Sequence, residues 1–146
     1  MDALYHGENW TPRPSFVVDC LTLLSTDGAW VTDSFGYPAV RDEVWARADI
    51  LVWLDFPRRV IMPRIVWRTV SRWLLRRELW NGNRERARDW LQPEHPMRWS
   101  WDYWKDRRPA TEERWNDPCW MAIRVRLRHP REAAEWLTSL PTAASR

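Results

Sequence analysis

Residues 49–85 read DILVWLDFPRRVIMPRIVWRTVSRWLLRRELWNGNRE. Ile50 to Leu54 is a short apolar run rich in β-formers, too brief for a buried helix, and it predicts a buried strand. Asp55 stands at that strand's C-terminal end. Pro57 follows where a first helical turn accepts a residue without an N–H. Met62, Ile65, Val66, Val70, Trp73 and Leu74 then recur at helical spacing. Arg64, Arg68, Arg72 and Arg76 recur at every fourth position, each about 40° round from the last on an α-helix. They form one basic stripe beside the apolar face. Pro63 falls inside the helix, where it removes a backbone bond at a cost of about 3 kcal/mol, so a later start or a kink is expected. Trp80-Asn81-Gly82-Asn83 ends the helix in a turn.

Guanidinium groups on adjacent turns repel one another slightly, and an ordinary stripe of this kind is a solvated face. Two features favour a phosphate site instead. Every member is arginine, whose planar fork matches phosphate oxygens. The row also begins beside the C-terminal end of a buried strand, where α/β sheets bind their ligands.

The 146-residue chain predicts a single domain, residues 1–146, large enough to bury a core. Its net charge of +3 suits a phosphorylated ligand as well as nucleic acid. Of 23 basic residues only Lys105 is lysine. Cys20 and Cys119 lack C-x-x-C spacing and read as reduced thiols of a cytoplasmic protein. No apolar run approaches membrane-spanning length, so no membrane partner is expected.

Working outward, Ser15 to Leu24 predicts a short helix with Phe16, Val17, Cys20, Leu21 and Leu24 on one side. Ala29 to Thr32 predicts a second strand, delivering Asp33 at its tip. Val40 to Trp45 reads as a short helix. Ala122 to Leu127 alternates Ile123, Val125 and Leu127 with Arg124 and Arg126, which predicts an edge strand with its arginines on a wet face. Pro130 to Leu140 reads as a closing helix. The tryptophans Trp99, Trp101, Trp104, Trp115 and Trp120 serve either as core or, interleaved with arginine, as stacking platforms for bases. Burial is the commoner use of indole.

The run VWLDFPRRV through RRELWNGNRE, with DALYHGENWTPRPSF near the start, resembles small bacterial P-loop kinases of the adenylate-kinase-like, "topology modulation" type. The resemblance implies an α/β, P-loop NTPase-like parallel sheet with flanking helices. It also implies ATP with Mg²⁺, phosphoryl transfer from the nucleotide to a small-molecule acceptor, and a lid-like segment at about 76–90. By that resemblance Asp2 orients the acceptor, with His6 and Trp10 lining its pocket. Asp33 holds Mg²⁺ through water as a Walker-B carboxylate, and Arg64, Arg68, Arg72, Arg76 and Arg84 clamp the transferring phosphates. Read without the resemblance, Asp2 is a frayed terminus, His6 a surface histidine and Asp33 a cap or turn residue. The family pattern after the strand is roughly D-G-N-Y, whereas this chain has Asp33-Ser34-Phe35-Gly36-Tyr37.

A phosphate loop needs G-x-x-x-x-G-K-[ST], and neither Lys105 nor any of Gly7, Gly28, Gly36 and Gly82 falls in that pattern. The sequence therefore resembles the family lacking the first strand, phosphate loop and first helix. In the implied fold that strand lies between 29–32 and 50–54. The flanking strands are then expected to pair directly, or the chain to be unstable alone, or the true start to lie upstream. Three functions follow as expectations: a nucleotide kinase impaired in this chain, a non-catalytic nucleotide-binding remnant, and, less favoured, an Arg/Trp-rich nucleic-acid-binding module.

Overall fold

The computed structural model describes residues 1–26, 28–33, 37–93 and 95–141. Among these the protein is a mixed α/β structure in which helices surround a small parallel sheet. In chain order the elements are α1 (Asp2–Tyr5), α2 (Phe16–Leu24), α3 (Pro38–Arg47), β1 (Ile50–Leu54), α4 (Arg58–Leu74), α5 (Pro96–Asp102), α6 (Arg108–Asn116), β2 (Ile123–Leu127) and α7 (Pro130–Ser139). Strands β1 and β2 pair in parallel, with Ile50 opposite Ile123 and Leu54 opposite Leu127. No described helix is long and apolar enough to cross a membrane.

Two clusters make the core. Val44 and Trp45 of α3, Leu51 and Trp53 of β1 and Trp115 of α6 form the larger, with Trp30 and Trp120 packed against it. Phe16 and Cys20 of α2 join Tyr37 and Val40 in the smaller. Met1 touches both clusters. A buried indole removes on the order of 150–250 Å² from water, so three of them dominate the larger cluster.

The strand expected at 29–32 does not form. Those residues are described but irregular, and Val31 is fully exposed. Trp30 alone anchors the segment to the core. An apolar run becomes a strand only with a partner for its N–H and C=O groups, and among the described residues no ladder joins 29–33 to β1. The turn Ser34-Phe35-Gly36 lies outside the described residues. Helix α4 neither starts late nor breaks at Pro63. Arg59 and Pro63 are both exposed, so water can serve the carbonyl that the proline leaves without a donor.

Strand β2 forms as expected, but its arginines turn inward, and of its apolar set only Leu127 is buried. Arg124 and Arg126 lie on the covered side, opposite Leu51 and Trp53, while Ile123 is exposed with Ile50, Val52 and Leu54. Hydrogen bonding explains the inversion. Arg124 donates to the carbonyls of Trp115 and Trp120 at 2.7 and 2.9 Å. Arg126 donates to Asp55 at 2.7 and 3.0 Å and to Glu112 at 2.8 Å, and lies 4.1 Å over the Trp53 ring. Arg108 grips Asp55 with two further bonds of 2.9 Å. A planar guanidinium that can fork and stack is at home there; a bare ammonium would not be.

Asp55 is thus closed off from water, its side chain 2% exposed, between two guanidiniums. Burial alone would push its pKa up, and the bonds from Arg108 and Arg126 outweigh burial and hold it below the usual carboxylate value. A depressed folded-state pKa contributes stability above the unfolded value of about 3.9 and loses it as pH falls toward the folded value. Urea titration of Asp55→Ala should show a loss of about 3 kcal/mol at neutral pH, because Arg108 and Arg126 lose their buried partner and are left to share Glu112. The parent should lose stability on acidification below about pH 4, and the variant should lose less over the same window.

Candidate anion-binding site

Two hairpin tips meet at one end of the molecule. In the first, Gly7 N–H donates to the Thr11 carbonyl (2.7 Å) and Thr11 N–H to the Glu8 carbonyl (3.2 Å), with Asn9 and Trp10 at φ of 54° and 61°. In the second, Leu79 N–H donates to the Asn83 carbonyl (2.7 Å) and Asn83 N–H to the Trp80 carbonyl (3.2 Å), with Asn81 and Gly82 at φ of 56° and 78°. Two successive left-handed residues are the mark of a type I′ turn, and Asn-Gly is the dipeptide best suited to it. Trp10 is not suited to it, since a bulky residue at positive φ is strained.

Asn83 holds the tips together. Its buried amide accepts from Trp10 N–H (3.0 Å) and donates to the carbonyls of Gly7 (2.8 Å) and Trp80 (2.9 Å). Asn81 donates to the His6 carbonyl. The lid-like turn is therefore docked on the segment that carries His6 and Trp10. His6 packs edge-on against Trp10, with ring centroids 5.1 Å apart.

Asp2 lies beneath. It accepts a hydrogen bond from the Tyr37 hydroxyl. Burial first, and that bond to Asp2 next, push the phenol of Tyr37 well above its ordinary value. Asp33 is raised by partial desolvation and then by the charge of Asp2. Partial desolvation and the neighbouring Arg72 lower Arg68, against the pull of Glu85 and Asp2. Asp2 is thus the charge shared by Tyr37, Asp33 and Arg68.

The row itself divides. Arg72 lies 4.0 Å from Glu85, whose nearly buried carboxylate also meets His95 at 3.3 Å. Arg64 is exposed and lines neither cleft described below. Arg76 leaves the helical line altogether. It occupies the left-handed position after α4, at φ 47°, where its N–H donates to the Trp73 carbonyl (3.1 Å) and the Arg77 N–H to the Arg72 carbonyl (3.0 Å). This is a Schellman stop, a position that glycine usually takes.

That stop delivers Arg76 to an open cleft of about 460 Å³ with Trp73, Leu74, Arg84 and Glu85. A second cleft of about 380 Å³ adjoins it, lined by Trp10, Asn81, Asn83, Arg84 and Arg86 among others. Arg84 faces both. Its contact with Glu78, at 3.8 Å between well-exposed side chains, is too weak to hold it. Among the described residues Arg76 has no carboxylate partner, so each cleft offers cationic donors to an anion.

Of the residues expected from sequence, Trp10, Arg76 and Arg84 therefore reach the clefts, while Asp2, His6, Asp33, Arg64, Arg68 and Arg72 line neither. Among the described residues no group of three or more His, Cys, Asp or Glu side chains could hold a metal ion. Tyr37, Asn83, Glu85, His95 and Arg86 were missed. The Asn-Gly turn was visible, but nothing in it said that Asn83 would bond to residues far away in the chain.

Asn83→Ala should cost about 1–3 kcal/mol, since it strands the Trp10 N–H and the Gly7 carbonyl. Hydrogen exchange should show the Trp10 amide protected in the parent and fast in the variant. No protein-family model, curated protein sequence or solved structure matches the chain.

Proposed function

We propose that the protein is a nucleotide-kinase-like phosphate binder whose Arg76 and Arg84 grip the phosphate tail of a nucleotide. The carrying observation is that these two arginines, from different elements, converge on one open cleft without a strong carboxylate partner. Guanidinium forks facing open concave surface are suited to phosphate oxygens. Arg68 and Arg72 stand behind them and add positive field, and Arg64 contributes only at longer range.

In this reading Asp2 offers an acceptor hydroxyl its carboxylate, with His6 and Trp10 beside it. Asp33 lies close enough to Asp2 for the two charges to interact. A hard cation needs few protein carboxylates when substrate phosphates complete its shell, so in this reading Asp33 alone, through water, would hold Mg²⁺ carried in with ATP. Phosphoryl transfer also needs the phosphate loop, and the sequence contains no G-x-x-x-x-G-K-[ST]. The chain is accordingly expected to bind ATP without turning it over. Robust ADP release would contradict that expectation.

The nucleic-acid reading draws less support, because much of the Arg and Trp content pairs internally. Arg58 lies over Trp101, Arg107 over Trp99, Arg108 over Trp104, Arg114 over Trp45 and Arg126 over Trp53, at 4.1–6.0 Å.

Calorimetric titration with inorganic tripolyphosphate checks the proposal. Replacing both Arg76 and Arg84 by Ala should weaken binding at least about tenfold, equivalent to about 1.4 kcal/mol. Undiminished binding by that variant would remove the site. Salt should act shallowly, as for about two phosphate contacts, whereas a nucleic-acid groove of about 6–10 contacts would give a steep slope on single-stranded DNA. Arg76→Gly makes a sharper case. It relieves a left-handed arginine worth about 1–2 kcal/mol while loosening the unfolded chain, so stability should hold or rise by up to about 1 kcal/mol even as phosphate affinity falls.

A further inference from the structure

The larger cleft holds more than cations. Trp73 lies in the last turn of α4, and its carbonyl accepts the N–H of Arg76, so the helix stop brings both residues to the lining of this cleft. Its indole is 43% exposed, unlike Trp45, Trp53 and Trp115 in the core, which are all below 9%. Trp101, also exposed, is capped by the Arg58 guanidinium at 4.6 Å. Trp90 packs edge-on against Trp73, with centroids 5.7 Å apart and planes at 81°, and fixes the ring in place. Leu74, 65% exposed, extends the apolar floor. The cleft is therefore lined by an exposed indole and a leucine as well as by two guanidiniums. Its volume of about 460 Å³ lies in the usual range for small-molecule sites.

We infer that this cleft takes purine nucleotides, with the base stacked on Trp73 and the phosphates on Arg76 and Arg84, and reads the base by its face and not by its edge. The inference rests on the phosphate reading above and adds the base-binding half. Glu85 is the cleft's acidic group, and its carboxylate is already engaged by His95 at 3.3 Å and Arg72 at 4.0 Å. Neither is it open to solvent, being 9% exposed. The two arginines are assigned to the phosphates in this arrangement. Among the described residues nothing else lining this cleft offers a side-chain hydrogen bond with which to tell adenine from guanine. Stacking accepts any base, because every base has a π-face, and favours the larger purines.

Titrations of the full chain with tripolyphosphate, ATP, GTP and UTP at one ionic strength test this. ATP and GTP should bind within about threefold of each other and roughly tenfold tighter than tripolyphosphate, from a stacking contribution of the usual size. UTP should fall between. Trp73→Ala should bring ATP down to the tripolyphosphate affinity and leave tripolyphosphate unchanged, while Trp73→Phe should keep most of the difference. If ATP binds no better than tripolyphosphate in the parent, or if Trp73→Ala weakens both equally, the base subsite is overturned and the phosphate reading stands. If none of the four anions binds, both readings fall. An ATP preference over GTP beyond about thirtyfold would overturn face-only readout, because stacking cannot supply it.

Discussion

Asp55 is a carboxylate withdrawn from water at the end of a strand, and a charge in that position must be answered by other charges or abandoned by protonation. Here it is answered twice. Arg108 opens α6 and Arg126 belongs to β2, so the two guanidiniums tie the end of β1 to both its neighbours. Glu112 completes the set by accepting from Arg126. The backbone takes part, since the Asp55 N–H donates to the Leu127 carbonyl at 2.9 Å and extends the ladder past the last strand residue. A sheet of two strands has little to hold it in register except its cover and such ties. This cluster therefore fixes where β1 ends and α4 begins, and hence the direction in which the arginine row points.

The same chemistry explains what the sequence could and could not reveal. The strand at 50–54, the helices at 16–24 and 130–139, and the long helix after Asp55 were legible because each carries its signal within a dozen or so residues. Apart from the unbroken helix at Pro63 and the stop at Arg76, the failures concern partners distant in the chain. Ala29 to Thr32 has strand composition but no ladder partner among the described residues. Arg124 and Arg126 alternate as surface residues should, yet Asp55, Glu112 and two tryptophan carbonyls draw them inward. Alternation identifies two faces of a strand; it does not say which is wet when the polar residues are arginines able to satisfy every N–H.

The site was half legible for a related reason. Spacing by four placed Arg64, Arg68, Arg72 and Arg76 on one stripe, and that geometry holds only while the helix lasts. Helix α4 ends at Leu74, so Arg76 is swung off the line by the stop and separated from Arg72. Arg68 and Arg72 meet Asp2 and Glu85, and their positive charge is partly answered. Arg76 and Arg84 are left to the clefts. A charge count along the sequence cannot make this division, because the carboxylates that decide it come from residue 2 and residue 85.

Backbone strain follows the same boundary. The four non-glycine residues at positive φ among the described residues are Asn9, Trp10, Arg76 and Asn81, and all of them sit at the two hairpin tips or the α4 stop. Asparagine tolerates that region at little cost, whereas tryptophan and arginine do not. Strain of about 1–3 kcal/mol persists only where the surroundings over-determine it. At Trp10 the surroundings are Asn83, whose side-chain amide oxygen receives the strained N–H; at Arg76 they are the two capping bonds to α4. Glycine at either position would have relaxed the backbone and emptied the cleft of an indole or a guanidinium. Two of the side chains that strain the fold, Trp10 and Arg76, thus add to the aromatic and cationic lining that Trp73, Arg84 and Arg86 supply from unstrained backbone, an arrangement expected where recognition and stability compete.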